Sequence, residues 1–167
     1  TIVAGTLGQS KLLTQLIRKY KLNTDSVQSR WEAFSIQTVT SGSNTIIVVM
    51  GSNRRGTAYG ILELSRMIGI SPWVWWADVH PNKKSDLSLE ISKPIYQQPS
   101  VQYRGIFLND EDWGLKPWAS KTIEPETGEI GPKTYGKIFE LLLRLRANTI
   151  WPAMHECTTP FYFVKGN

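Results

Sequence analysis

The chain has 167 residues, the composition of a globular protein and a formal net charge of +5. This length suffices for one ordinary domain, or for one small domain plus part of another, which we favour. The sequence has no apolar run long enough to span a bilayer, its single cysteine, Cys157, excludes an internal disulfide framework, and its basic residues are too scattered for a nucleic-acid surface.

The first part of the chain predicts the element order β-α-β-β-α-β. Residues 1–6 indicate a buried strand, and apolar residues then recur at helical spacing up to Tyr20. Residues 34–39 alternate as a strand does, a Ser-Gly-Ser-Asn turn follows, and 45–50 are continuously apolar, which predicts a hairpin. A second helix up to Gly69 and an alternating strand over 87–91 complete a two-layer domain with a mixed sheet, assigned to residues 1–93.

The loop between the predicted third strand and the second helix is bounded by Gly51 and Gly56. Such a loop at a helix N-terminus can bind an anion, which makes Asn53 and Arg54 candidate substrate-binding residues. The loop matches neither a P-loop nor a dinucleotide fingerprint. A tight strand-to-helix connection is the alternative.

Three tryptophans, Trp73, Trp75 and Trp76, fall within four residues. Exposed indoles stack on sugar faces, whereas buried ones pack. We favour a packing wedge between two domains and keep a noncatalytic carbohydrate-binding module as the alternative. A linker is expected at 94–100, because this segment has two prolines and no periodicity.

The remaining residues, 101–167, predict one β-α-β unit. A buried strand over 103–108 opens into a cluster of acids, a long loop and a helix from Pro132 follow, and a second strand covers 148–155. This arrangement fits the first β/α unit and the second strand of a (β/α)8 barrel, which needs about 250 residues. Most of that barrel would be missing, and its unfinished edge favours a homodimer.

Polar residues follow both predicted strands at the end where parallel α/β folds place their chemistry. Along an extended strand, Asn109 and Glu111 would share one side, and Asp110 and Asp112 the other. His155 ends the second strand. Carboxylates, His155 and Trp113 at a barrel mouth form a plausible sugar-binding constellation. The second carboxyl group of a glycosidase would come from a later strand, because one strand end rarely supplies both.

Two motifs carry a family resemblance. Residues 105–114 (GIFLNDEDWG), followed by Pro-Trp-Ala at 117–119, and residues 148–155 (NTIWPAMH) resemble glycoside hydrolase family 115. The stretches 51–60 and 71–78 are similar to the region before the barrel of that family. The resemblance is dense from about residue 45 to residue 157.

The resemblance implies an inverting xylan α-1,2-glucuronidase that removes glucuronic acid or its 4-O-methyl ether from glucuronoxylan. It implies an N-terminal α/β domain before the barrel and an extracellular or periplasmic location, although the chain shows no signal peptide. No His/Cys cluster has metal-ligand spacing, and neither a metal nor a cofactor is expected. Nucleic acid and membrane are not expected partners. Asp110 is the first candidate catalytic residue and Glu111 the second, while Asn109, Trp113 and His155 would bind substrate. The general acid would lie beyond Asn167, so the isolated chain is predicted to be inactive.

Overall fold

A computed structural model describes residues 1–109 and 112–166. The chain divides into two compact units, Thr1–Gln102 and Tyr103–Asn167. None of the helices within the described residues is both long and apolar enough to cross a membrane.

Residues 1–102, all of which are described, contain the predicted β-α-β-β-α-β order. The elements are β1 (Ile2–Thr6), α1 (Lys11–Tyr20), β2 (Phe34–Ser41), β3 (Asn44–Gly51), α2 (Arg54–Met67) and β4 (Ile95–Gln97). The sheet order is β1-β3-β2-β4, with β1 parallel to β3 and the other pairs antiparallel. The predicted hairpin is confirmed, because β2 and β3 pair from Phe34–Gly51 to Ser41–Asn44 around a turn at Gly42, whose φ is +61°.

The last strand of this sheet lies later in the chain than the sequence suggested. Residues 87–91 form neither helix nor strand, and Leu87 is exposed. Instead β4 lies inside the segment 94–100 that was predicted to be a linker, and it pairs with β2. Pro94 immediately precedes β4 at the sheet edge, where a proline removes no hydrogen bond from the ladder.

The two helices of the first unit pack on opposite faces of the sheet. Leu13 of α1 packs with Val48 and Met50 of β3. Gly60 of α2 instead lies against Val49. A Cβ added at Gly60 would be only 2.5 Å from a Val49 side-chain carbon. Adjacent strand residues point to opposite faces, so this unit has three layers and the two-layer prediction is wrong. The sequence pattern predicts the apolar face of each helix, but it does not show on which face of the sheet that helix packs.

A buried carboxylate joins α2 to the segment before β2. Glu32 is 1% exposed and adopts a φ of +44°. Its carboxylate accepts a hydrogen bond of 3.1 Å from the Arg55 guanidinium, and the Tyr59 hydroxyl lies 3.5 Å from its other oxygen. A buried charge requires such partners, so the entry into β2 and the first turns of α2 form one connected structure.

The second unit is built around a parallel β-α-β unit. Its elements are β5 (Gly105–Phe107), α3 (Leu115–Trp118), a π-helical turn (Ala119–Ile123), α4 (Pro132–Arg144), β6 (Thr149–Trp151) and a 3-10 turn (Phe161–Phe163). The buried residues of α4 include Tyr135, Ile138 and Leu142, whereas Phe139 is exposed.

We expect Gly56→Ala to destabilise the first unit. The added Cβ would lie 2.2 Å from the Ala33 carbonyl oxygen, and overpacking against fixed backbone costs about 1–3 kcal/mol. That cost exceeds the gain of about 1 kcal/mol that alanine brings to a helix. Urea unfolding of the purified chain measures the difference.

Gly136→Ala in α4 is the matched control, because a Cβ there has no neighbouring atom within 4 Å in the described structure. It should stabilise the protein by about 0.5–1 kcal/mol. A Gly56→Ala protein as stable as wild type would contradict the close approach of α2 to Ala33.

Candidate active site

The candidate site lies after the carboxyl ends of β5 and β6. The two strands pair in parallel with Gly105 opposite Thr149 and Phe107 opposite Trp151. The Leu108 N–H donates to the Trp151 carbonyl at 2.8 Å, which extends the pairing one residue beyond β5. Residue 105 must be glycine, since a Cβ there would lie 1.9 Å from the Thr149 carbonyl oxygen. The segments after both strands therefore leave the sheet at the same edge.

The opposite end of this strand pair is held by Arg104 and Asn148. The Arg104 backbone N–H donates to the Asn148 side-chain oxygen at 3.1 Å, and the Arg104 guanidinium donates to the Arg146 carbonyl at 2.8 Å. The Asn148 and Thr149 N–H groups both donate to the Arg104 carbonyl. These bonds fix the register of β5 against β6, and hence which residues emerge at the edge that carries the candidate site.

The predicted site residues of this unit follow the two strands at different distances. Asn109 is exposed two residues after β5, and His155 is exposed in a bend four residues after β6. Trp113 is 83% exposed. Asp110 and Glu111, the two candidate catalytic residues, lie outside the described residues. The alternation expected along the strand does not extend to Asp112, because β5 ends at Phe107 and Asp112 belongs to a turn.

A polar cluster joins the segment after β6 to the segments that precede α4. The Lys116 ammonium donates to the Cys157 carbonyl and lies 3.7 Å from the Glu129 carboxylate. The other Glu129 oxygen accepts a 2.9 Å hydrogen bond from the buried Thr158 hydroxyl. This cluster of Lys116, Glu129 and Thr158 holds the bend that carries His155 against α3, which follows the acids.

A second carboxylate, Glu124, binds the N-terminus of α4. It is 2% exposed and accepts hydrogen bonds from the N–H groups of Gly131, Lys133 and Thr134 at 2.7, 3.1 and 3.1 Å, and from the Thr134 hydroxyl at 2.6 Å. Burial alone would raise the pKa of Glu124, but these hydrogen bonds outweigh it, so the pKa lies below its ordinary value. An anion also interacts favourably with the helix dipole there.

Asn53 and Arg54 belong to the first unit, and Asn53 has a structural task. Its side-chain oxygen accepts a 2.8 Å hydrogen bond from the Gly56 N–H and caps α2, while Arg54 is the exposed first residue of that helix. Asparagine is a preferred N-cap. The alternative of a tight strand-to-helix connection thus describes the role of Asn53 in this structure.

The tryptophan-rich segment forms consecutive turns. The Trp76 and Ala77 N–H groups both donate to the Trp73 carbonyl. Trp73 and Trp75 are each 47% exposed. Residues two apart in a helical turn point to different sides, so the turn geometry does not favour a single flat platform for sugar rings.

No three His, Cys, Asp or Glu side chains in residues 1–109 and 112–166 are grouped so that they could hold a metal ion. At the β5–β6 edge the described side chains include Asn109 and His155, which can form hydrogen bonds, and Trp113, which can stack on a ring.

Known proteins match this chain along most of its length. The sequence model of glycosyl hydrolase family 115 matches residues 96–166. Eleven chains of solved structures also match. One of them, described as a novel family GH115 4-O-methyl-alpha-glucuronidase, BtGH115A, with specificity for decorated arabinogalactans, is 55% identical over 99% of this chain, with a TM-score of 0.86. This chain belongs to glycosyl hydrolase family 115.

The resemblance predicted from residues 105–114 and 148–155 is thereby confirmed. The family 115 chain described here spans 21% of the length of the BtGH115A chain. A comparison with curated protein sequences gave no match.

Sequence reasoning missed the residues that fix the segments around the site. Lys116 contacts a residue that is 41 positions away in the sequence, and Glu129 contacts two residues that are 29 and 30 positions away. No local spacing signals such contacts. Glu124 could have been suspected, because Pro132 marks a helix start and an acid before a helix start favours the positive end of the dipole.

Glu124 should make the stability of this family 115 chain depend on acid pH. Its folded-state pKa lies below its ordinary, unfolded value of about 4.3. The stabilisation is therefore complete above that unfolded pKa and is lost as the pH falls through the folded pKa. Denaturant unfolding at pH 7 and at steps between pH 5 and pH 2.5 measures this loss.

Glu124→Gln should lower the free energy of unfolding at pH 7 by about 1–3 kcal/mol, because a neutral amide replaces a buried acceptor of four hydrogen bonds. It should also reduce the loss of stability that the wild type shows as the pH falls from 5 to 2.5. Glu126→Gln is the control. The hydrogen bond from Lys133 also lowers the pKa of Glu126, but this pair is exposed and contributes little to stability, so most of the loss of stability in acid should remain. A Glu124→Gln protein that loses as much stability in acid as the wild type does would refute this role.

Proposed function

We propose that this chain supplies the N-terminal α/β domain and the opening β/α unit of the catalytic barrel of an α-glucuronidase. The enzyme would remove α-linked glucuronic acid, or its 4-O-methyl ether, from the side branches of a polysaccharide. The observation that carries the proposal is the 55% identity, over 99% of the chain, with a protein described as a 4-O-methyl-alpha-glucuronidase.

The β5–β6 edge supports this proposal. Two adjacent parallel strands end at the same edge, and acids, an amide, an indole and an imidazole follow them in the sequence. In a (β/α)8 barrel, the active site lies at the carboxyl ends of the strands, which correspond to this edge. In the proposed barrel, β5 is the first strand and β6 the second.

The roles proposed for the site residues follow from the reaction. Hydrolysis with inversion requires a general acid that protonates the leaving oxygen and a general base that activates a water molecule on the opposite face of the sugar, with the two groups about 6.5–9.5 Å apart. We assign Asp110 to positioning or activating the water or the sugar, with Glu111 beside it. Asn109 and His155 would hydrogen-bond the sugar hydroxyls, and Trp113 would stack on the ring. The general acid would come from a later strand of the barrel.

The polysaccharide is glucuronoxylan or a decorated arabinogalactan. The sequence resemblance suggested glucuronoxylan, whereas the BtGH115A protein is described as specific for decorated arabinogalactans. Polysaccharide substrates favour an extracellular or periplasmic enzyme, and a homodimer through the open strand edges remains part of the proposal.

Asp110→Ala in the full-length enzyme should lower kcat/KM by about a hundredfold or more, because positioned acid–base groups contribute factors of that size. The assay is release of glucuronic acid or its 4-O-methyl ether from both polysaccharides, and NMR of the first-formed anomer reports inversion. Asp86→Ala, at an exposed residue of the first unit, is the matched control. Normal turnover by the Asp110→Ala enzyme would remove this residue from the mechanism.

The 167-residue chain alone should release no glucuronic acid, because one strand end does not supply two carboxyl groups at a working separation. The same assay at high protein concentration tests this expectation against the full-length enzyme. Clear turnover by the isolated chain would overturn the proposed division of the site.

A further inference from the structure

The first unit contains a crevice at the carboxyl ends of β1 and β3. It has a volume of about 490 Å³, which lies within the range of about 300–1,000 Å³ that ligand pockets occupy. Leu7 and Gly8 follow β1 and Ser52 follows β3, so both parallel strands lead directly into it.

The fold places this crevice where open α/β sheets bind ligands. The chain leaves β1 for α1 on one face of the sheet and leaves β3 for α2 on the other face. Diverging connections open a crevice outside the carboxyl ends of the strands, and ligands of such sheets bind there. The crevice is thus a consequence of the three-layer arrangement, which the sequence did not predict.

The outer wall of the crevice is a preformed loop. Thr24, Gln28 and Ser29 line it from the connection between α1 and β2. The buried Gln37 side chain of β2 donates a 2.7 Å hydrogen bond to the Asn23 carbonyl, and Val27 of the same loop is fully buried. Ser29 adopts a φ of +57°, a conformation that side-chain-bearing residues adopt at a cost and that clusters at functional sites.

The hydrogen bonds within the crevice determine what its polar groups can offer a ligand. The Ser52 hydroxyl accepts from the Ala33 N–H, which leaves its proton to donate. The Thr14 hydroxyl donates to the Ser10 carbonyl, which leaves its oxygen to accept. The Thr24 hydroxyl donates to the Gln28 side-chain oxygen at 3.4 Å, which leaves the Gln28 amide N–H groups to donate.

The lining suits a neutral ligand with many hydroxyl groups. None of the lining residues, all within the described range 7–52, carries a charge. Both adjacent helix N-termini already use a side-chain cap, Ser10 on α1 and Asn53 on α2, which disfavours a bound anion. Leu7 and Ile17 add apolar surface for the C–H face of a sugar ring.

We propose that this crevice binds a neutral sugar residue of a polysaccharide. The choice of a sugar among neutral polyols rests on the proposed function, and the crevice itself rests on the geometry of β1, β3 and the loop over residues 21–32. It would hold the uncharged main chain of the polysaccharide, whereas the proposed reaction acts on a charged branch.

The test is NMR titration of the purified 167-residue chain with xylotriose and with galactotriose, both uncharged, and with glucuronic acid. We expect at least one trisaccharide to cause saturable shifts of the Gly8, Gln28 and Ser29 amide signals, and glucuronic acid to cause weaker shifts. No shift of these signals up to tens of millimolar, or tighter binding of glucuronic acid, would overturn the proposal.

Variants locate the binding. Gln28→Ala and Thr24→Val should each weaken the trisaccharide about two- to tenfold, the value of one neutral hydrogen bond. Gln15→Ala is the matched control, because Gln15 is exposed on α1 and does not line the crevice. Binding that these two substitutions leave unchanged, in proteins with wild-type spectra, would also overturn it. No step measures glucuronidase turnover, so a failed activity assay and an empty crevice are separate results.

Discussion

The second unit depends on the buried carboxylate of Glu124. A helix that begins with proline still leaves backbone N–H groups without helical partners in its first turn. In α4 the Gly131, Lys133 and Thr134 N–H groups all donate to this one side chain. The contact is so close that a Cβ at Gly131 would lie 2.2 Å from the carboxylate. This single interaction therefore fixes where α4 starts, and α4 in turn returns the chain to β6.

The polar cluster of Lys116, Glu129 and Thr158 builds on that arrangement. Glu129 follows Glu124 by five residues, in the same connection between the π-helical turn and α4. Once Glu124 holds this connection at the helix N-terminus, Glu129 can reach Thr158 and Lys116. The position of the bend around His155 is thus set by side chains that take no part in the proposed chemistry.

The sequence predicted those features whose signals are local. The Ser-Gly-Ser-Asn turn and the periodicity on either side predicted the β2–β3 hairpin, and residues 105–114 and 148–155 identified the family. It failed where the outcome depends on partners distant in the chain. Residues 87–91 alternate like a strand, yet β4 forms at 95–97, because a strand exists only where a neighbour accepts its hydrogen bonds. The position of Asp110 and Glu111 after a predicted strand makes them candidate catalytic residues, and both lie outside the described residues.

The spacing of the paired strands along the chain affects the order in which they form. β2 and β3 meet across a two-residue turn, whereas Arg104 and Asn148, at the start of the β5–β6 pair, are separated by 44 positions. Long loops close slowly, and contacts between residues far apart in sequence form late in folding. The three-residue ladder of β5 and β6 also contributes few hydrogen bonds to its own stability. The strand pair that carries the proposed chemistry is consequently expected to form after the β2–β3 hairpin, because it must close a much longer stretch of chain.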